Sequence, residues 1–194
     1  DIDQRIKLID ILSHDVQRIE RLITDYSQIL KDEVALSKEK VKKLDIEPII
    51  KSVVDDFNNI YKVKRGINIS YLNDGKNKYH INGIENRIEQ IIANLLDNAI
   101  SFSDDNKDIT VRVSKSKDER ININVLDEGQ GFKEKDTNKI FKRFYSNRPD
   151  RFGQHSGLGL NIVKNLVELH NGSIKASNRL DQKGASMEIT FPIA

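Results

Sequence analysis

Three short segments in a fixed order constrain this chain more than any other feature. They are Asn94-Leu-Leu-Asp-Asn98, Asp127-Glu-Gly129-Gln-Gly131 and Gly153-Gln-His-Ser-Gly157-Leu158-Gly159-Leu160. Asn94 and Asn98 stand four apart, so on a helix they share one face. Amide oxygens suit a hard cation such as Mg²⁺, which keeps several waters and bridges substrate phosphates. Ile88, Ile91, Ile92, Leu95, Leu96 and Ile100 fill the other faces, which sets the two amides at the rim of a pocket. Asp127 follows an alternating apolar run and precedes two glycines. A carboxylate there can accept from an exocyclic purine amine, and glycine lets backbone approach a ligand closely. A glycine-rich loop opening a helix presents free N–H groups and a positive dipole end to phosphate. Each segment alone is weak, but the ordered set describes a nucleotide pocket.

The N-terminal stretch carries a different signal. Ile9, Leu12, Val16, Ile19, Ile23, Tyr26 and Leu30 are spaced alternately three and four apart. That is the seam of a helix in a coiled coil or four-helix bundle. Residues 1–36 as one helix would extend about 50 Å at ~1.5 Å per residue. Such a helix cannot bury its stripe alone, and a homodimer through residues 1–36 is the simplest partner. The lysine-rich stretch Ser37–Lys43 reads as a linker, which divides the chain into 1–43 and 44–194.

Beyond the linker, strand and helix patterns interleave. Leu44–Ile46 reads as a short strand, and Glu47-Pro48 opens a helix to about Val63, with proline tolerated in the first turn. Ile67–Leu72 and Lys78–Ile81 alternate like strands around the turn Asn73-Asp-Gly75. A helix over Ile84–Phe102 precedes an antiparallel pair, Ile109–Lys115 and Arg120–Leu126. Residues 132–156 are loop-rich, and Leu158–His170 is a helix stopped by Asn171-Gly172. Ser173–Ser177 and Met187–Pro192 close the sheet, so the fold class is a two-layer α/β sandwich with three main helices behind a long coiled-coil helix.

Composition removes several function classes. The 194 residues contain no cysteine, so disulfides, thiol catalysis and thiolate metal sites are excluded. A net charge of +2 gives no electrostatic footprint for nucleic acid. No apolar run approaches the ~18 residues that span a bilayer, and there is no signal peptide. Because Asp1 falls inside a helical pattern, the chain reads as a piece of something longer, with any membrane segment upstream.

The ordered segments resemble the N, G1, F and G2 boxes of sensor histidine kinases, which share an ATP-binding fold (the Bergerat fold) with type II topoisomerases, Hsp90 and MutL. The F box corresponds to Ile140-Phe-Lys-Arg-Phe-Tyr145, and the G2 segment continues through Asn161-Ile-Val163 to Val167-Glu-Leu-His-Asn-Gly172. Asp97-Asn-Ala-Ile-Ser-Phe-Ser103 and Asn147-Arg-Pro149 resemble an envelope-sensing subgroup of alphaproteobacterial kinases. The resemblance implies ATP and Mg²⁺ as ligands. Asn98 would bind the metal, with Asn94 supporting metal and phosphates. Asp127 would read the adenine amine, Gly129 and Gly131 would shape its floor, and Phe102 would pack on the purine. Gly157, Leu158 and Gly159 would close over the phosphates. The family often carries basic residues where Ser101 and Ser146 stand here, which leaves Lys142, Arg143 or Arg148 as substitutes toward the γ-phosphate. The aromatic run Phe141, Phe144 and Tyr145 is placed to pin this loop to the core.

The same resemblance implies phosphoryl transfer to a histidine, then to the aspartate of a response-regulator receiver domain, by the cytoplasmic portion of an inner-membrane-anchored bacterial protein. The superfamily's hydrolases carry a glutamate base four residues before the metal-binding asparagine. Asn94 occupies that position and cannot act as a base. A nucleotide-binding module without turnover and a water-hydrolysing ATPase remain as alternatives. His14 in Ser13-His14-Asp15 resembles the phosphoacceptor only superficially, since Gln17 and Ile19 replace the basic residue and proline of the family box. It falls opposite the heptad seam, and the unbroken pattern after it leaves no room for a hairpin turn. Residues 1–43 therefore read as the second helix of a dimerisation and phosphotransfer domain, with the acceptor on an upstream helix.

Overall fold

A computed structural model of the chain describes residues 40–75, 78–133, 137–145 and 157–194, with eleven further positions between 5 and 27. All eleven are helical, and they include the exposed seam residues Ile9, Leu12, Val16, Ile19 and Ile23. Tyr26, Leu30 and His14 lie outside the described residues.

From Lys42 onward the elements alternate. They are β1 (Lys42–Asp45), α1 (Ile46–Arg65), β2 (Asn68–Asn73), β3 (His80–Gly83), α2 (Glu85–Phe102), β4 (Asp108–Lys115), β5 (Arg120–Leu126), a 3-10 turn (Thr137–Phe141), α3 (Gly159–Leu169), β6 (Ser173–Asn178) and β7 (Ala185–Pro192). Five strands form one mixed sheet in the order β2-β4-β5-β7-β6, parallel only between β2 and β4. Burial alternates residue by residue along β4, β5 and β7. One face of the sheet is therefore packed and the other solvated. Ile109, Val111, Val113, Ile121, Ile123, Val125, Met187, Ile189 and Phe191 meet the apolar faces of α1, α2 and α3 in a single core. The result is the expected two-layer α/β sandwich.

Two local readings differ from this architecture. Strands β2 and β3 do not pair across Asn73-Asp-Gly75. β2 lies parallel to β4 in the main sheet, and β3 pairs antiparallel with β1 in a separate two-stranded ribbon. Alternation shows that a segment is a strand but does not choose its partner. Here Asp74 is drawn to β4, where its carboxylate accepts from Lys115 N–H at 3.3 Å, and it also bonds the buried Tyr79 hydroxyl. The second difference is that Lys42 and Lys43, read as linker, belong to β1, while Ile46 opens α1.

Helix α2 carries the Asn pair, and both of its ends are held by other elements. Arg65, the last residue of α1, donates to the Ile100 and Ser103 carbonyls at 2.7 and 2.8 Å and to Asp105 at 2.7 Å. It thereby caps the C-terminal carbonyls that a helix leaves without partners. At the other end Ile84, the N-cap, makes no side-chain cap bond of its own. Instead its N–H donates to His170 Nε2 at 3.1 Å, while Nδ1 lies 2.7 Å from the Leu166 carbonyl. His170 is thus a neutral imidazole, buried, donating from Nδ1 and accepting at Nε2. It closes α3, where Asn171 turns left-handed at φ 56° and Gly172 N–H returns to the Val167 carbonyl, the expected helix stop.

Burial lowers the His170 pKa below its ordinary value, against the opposing bond to Leu166. The unfolded chain therefore takes up this proton first on acidification. His170 stabilises fully above pH ~6.5, and that contribution is lost as pH falls through ~6.5 toward the lower folded value. Replacing His170 with Phe leaves the Ile84 N–H buried without an acceptor and is expected to cost about 1–3 kcal/mol in urea unfolding at neutral pH. The variant should also lose less stability than the parent between about pH 7.5 and pH 5.5.

Candidate functional site

One end of the candidate site is built around Asp127, just beyond the end of β5. This carboxyl is buried at 5% exposure. Its Oδ1 accepts from Gly129 N–H at 2.8 Å and from Ala185 N–H at 3.0 Å. Burial pushes its pKa up, and those two N–H bonds and the nearby Arg179 guanidinium oppose that rise. Among the described residues Oδ2 accepts no hydrogen bond, so one oxygen is anchored and the other remains for a donor. The glycines are required by close approach. A Cβ on Gly129 would stand 2.4 Å from the Phe102 carbonyl oxygen. Gly131, at φ 73°, would place one 2.6 Å from Asn178 Oδ1. The turn therefore lies flat against the C-terminal end of α2, where Phe102 is half-buried.

The other end forms where α2 meets the start of α3. Asn94 and Asn98 are half-buried on one face of α2, opposite its buried Ile and Leu residues. Neither amide hydrogen-bonds to another described residue. The ideal Cβ position of Gly159 lies 3.7 Å from Asn94 Oδ1, so the first residue of α3 faces the Asn pair directly. Leu158 is buried at 1% exposure and precedes that helix without a side-chain cap bond. The first N–H groups of α3 are then open to an anion. From Asn94 to Phe102 along α2 is about 12 Å, the span that separates the two ends.

The loop between these ends is rooted at both sides. Thr137 Oγ1 donates to the Ala176 carbonyl at 2.8 Å, and Asn161 Nδ2 donates to the Phe141 carbonyl at 2.9 Å. Ile140 and Phe141 are buried and Tyr145 packs on the core, but Phe144 is 59% exposed, so only part of the aromatic run pins the loop. Gly157, at φ 70°, sits so near the start of the loop that a Cβ would be 2.8 Å from the Tyr145 carbonyl oxygen. Lys142 and Arg143 are exposed beside α3, and Arg143 Nε donates to Asn161 Oδ1 at 3.3 Å. Arg148 lies outside the described residues, as do Ser146, Arg151, Gly153 and His155. The buried Ser101 bonds back to the Asp97 carbonyl at 2.7 Å within its own helix, away from a phosphate role.

Sequence reasoning missed Arg179, Gly184 and Ala185. They have no motif of their own and act only because the β6–β7 hairpin folds back over Asp127. Among the described residues no group of three or more His, Cys, Asp or Glu side chains could hold a metal ion. Also among them, no helix is long and apolar enough to cross a membrane.

Known proteins show the family to which the chain belongs. The sensor protein ChvG of Agrobacterium fabrum is 37% identical over 203 residues, covering 99% of this chain and 34% of that protein. The chain spans about a third of the length of such relatives. The crystal structure of full-length ShkA in complex with AMPPNP matches with a TM-score of 0.69 at 24% identity, over 80% of this chain and 32% of that one. The histidine kinase ThkA in complex with the response regulator protein TrrA matches with a TM-score of 0.70 at 22% identity, over 100% of this chain and 53% of that one. Both likenesses establish the fold. Residues 83–194, more than half of the sequence, match the family described as histidine kinase-, DNA gyrase B-, and HSP90-like ATPase, and the chain is a member of that ATP-binding family.

Proposed function

We propose that the chain is the ATP-binding catalytic core of a sensor histidine kinase, which transfers the γ-phosphoryl of MgATP to a histidine for relay to a response-regulator aspartate. The observation that carries this is the division of labour in one groove. Asp127 presents a free carboxylate oxygen at one end, and Asn94 faces the open N-terminus of α3 at the other. Phosphoryl transfer needs little more from a protein than positioning and electrostatic stabilisation. Asp127 accepts from the adenine amine while Phe102 borders the purine. The α3 N–H groups, with Gly157, Leu158 and Gly159, hold phosphate, and Lys142, Arg143 and Arg148 approach the γ-phosphate from the loop.

The donor set fits Mg²⁺ shared with a nucleotide. Two half-buried amide oxygens at one helix face are hard ligands but too few to cage the ion, so phosphate oxygens and water complete its shell. Asn98 would hold the metal with Asn94 as its support, and the ion would supply charge neutralisation to the phosphates. With an amide at Asn94 no general base faces the γ-phosphate from this position, which favours a histidine acceptor over water. The phosphoacceptor is a histidine other than His14. Residues 1–36 pair with a second copy through the heptad seam, a reading supported by the exposed Ile9, Leu12, Val16, Ile19 and Ile23. The partner is a receiver domain, a reading supported by the likeness to ThkA, whose structure is in complex with the response regulator protein TrrA. The chain belongs to the cytoplasmic side of a membrane-anchored bacterial sensor, as its likeness to ChvG supports.

Asp127→Asn keeps an oxygen for the Gly129 and Ala185 N–H groups but turns an NH₂ toward the adenine amine. ADP affinity should fall by about 2–3 kcal/mol, roughly 30- to 150-fold in Kd. Because burial raises the Asp127 pKa, the ionised carboxylate costs stability at neutral pH, and the thermal midpoint of the variant should not fall. Calorimetric titration and a melting curve read both effects. Asn98→Ala should weaken ADP binding in Mg²⁺ and leave binding in EDTA unchanged. Incubation with MgATP followed by phosphosite mapping should find the four histidines of this chain unmodified although ADP binds. Phosphate on His14 would overturn the assignment of the acceptor.

A further inference from the structure

Strands β5 and β7 pair as far as Leu126 with Ser186, and the Asp127 N–H continues the ladder to the Ala185 carbonyl at 3.1 Å. The next carbonyl, that of Asp127 itself, has no strand partner. Gly184 lies across from it at φ 144°, so close that a Cβ would stand 2.0 Å from the Asp127 oxygen. Arg179 occupies this gap. Its Nη1 donates to the Asp127 carbonyl at 3.2 Å, and its own backbone N–H donates to the Gly184 carbonyl at 3.0 Å. Asp181 takes Nε and Nη2 at 3.0 and 2.6 Å and so orients the guanidinium fork from outside. The Arg179 side chain is only 11% exposed, against 68% for Asp181. An exposed ion pair would contribute little, but this one aims a largely buried cation at the backbone of the site.

We propose that Arg179 is a positioning residue for the base end of the pocket, closing the β6–β7 hairpin onto Asp127 and fixing the direction in which its carboxylate meets a purine amine. The inference rests on the reading of Asp127 as the adenine acceptor. Oδ1 of Asp127 is held by Ala185 N–H, and Ala185 follows the glycine whose carbonyl the Arg179 backbone N–H binds, so the guanidinium bond to the Asp127 carbonyl and the anchor of its carboxylate lie on the same hairpin. Losing the Arg179 side chain therefore frees the Asp127 carbonyl, the point at which the hairpin is held to the backbone of the site, while the backbone bond to Gly184 remains. The guanidinium also opposes the desolvation of the Asp127 carboxylate. Other charges at this end are Glu128, bonded by Gln182 Nε2 at 2.9 Å with Lys107 Nζ at 3.9 Å, and the exposed Asp181.

The test is ADP titration of the 194-residue chain from about pH 5 to pH 8 for wild type, Arg179→Met, Arg179→Lys and Asp181→Asn, with Asp127→Asn as reference. Arg179→Met should lose about tenfold in affinity at neutral pH. The pH below which its affinity falls should also move upward, because Asp127 then takes a proton more readily. Arg179→Lys should return that midpoint toward wild type without restoring full affinity, since an ammonium cannot span Asp181 and the Asp127 carbonyl as a fork does. Asp181→Asn should lose part of the affinity. Wild-type affinity in folded Arg179→Met overturns the proposal, and so does a loss of affinity with an unmoved pH midpoint, which marks a merely structural role. If Arg179→Met fails to fold, wild-type affinity in Asp181→Asn overturns it. Failure of wild type to bind ADP, or wild-type binding by Asp127→Asn, overturns the adenine reading beneath it and the inference with it.

Discussion

Burying the Asp127 carboxylate is the constraint on which the rest of this site depends. A charged group taken out of water costs several kcal/mol unless hydrogen bonds replace its solvent. Here two backbone N–H groups, from Gly129 and Ala185, satisfy one oxygen only. Those donors come from different parts of the chain, one from the turn after β5 and one from the start of β7. Bringing them to one atom demands that the turn pass within contact of the Phe102 carbonyl and that β7 enter past the Asp127 backbone. Only glycine fits at 129 and 184 under that condition. The other oxygen, to which no described residue donates, is then left for a donor, and under the proposed reading an amine on a planar base supplies it.

Helix α2 links this local arrangement to the Asn pair. Its buried side, Ile88, Ile91, Ile92, Leu95, Leu96, Ala99 and Ile100, packs on the sheet and fixes its rotation. The opposite side must then present Asn94 and Asn98. Arg65 holds its C-terminal end near Asp127, and His170 holds its N-terminal end to α3. The same histidine that stops α3 thus ties that helix to α2. The two ends of the candidate site are consequently set by the core and by two polar clamps, the half-buried Arg65 and the buried His170.

Much of this was legible in the residues. The Asn pair, the Asp127-Glu-Gly129-Gln-Gly131 turn and the glycine-rich helix entry are local patterns that the sequence displays directly, and the structure puts Asn94 and Asn98 on one face of α2 and Gly159 at the start of α3. The helices and most strands followed from apolar periodicity, because each element buries one face. What was not legible depends on pairing between distant segments. Alternation identified β2 and β3 but not their separate sheets, since Asp74 binds β4 rather than completing a hairpin. The pinning of Phe141 without Phe144 depends on the backbone path after the 3-10 turn. Arg179 sits in a hairpin with no motif, and its role appears only when Gly184 is seen against the Asp127 carbonyl. His170 was readable as a helix end but not as the acceptor for Ile84, 86 residues away.

The most direct test of the central claim is the ratio of affinities of wild-type protein for ADP and inosine diphosphate. Inosine replaces the exocyclic amine with a carbonyl oxygen and leaves sugar and phosphates unchanged. If Asp127 Oδ2 reads that amine, inosine diphosphate sets two acceptors face to face in a buried site, and its Kd should be higher by about 100-fold or more. Equal affinities would show that the carboxylate does not face the base, and would contradict the account of the pocket given above.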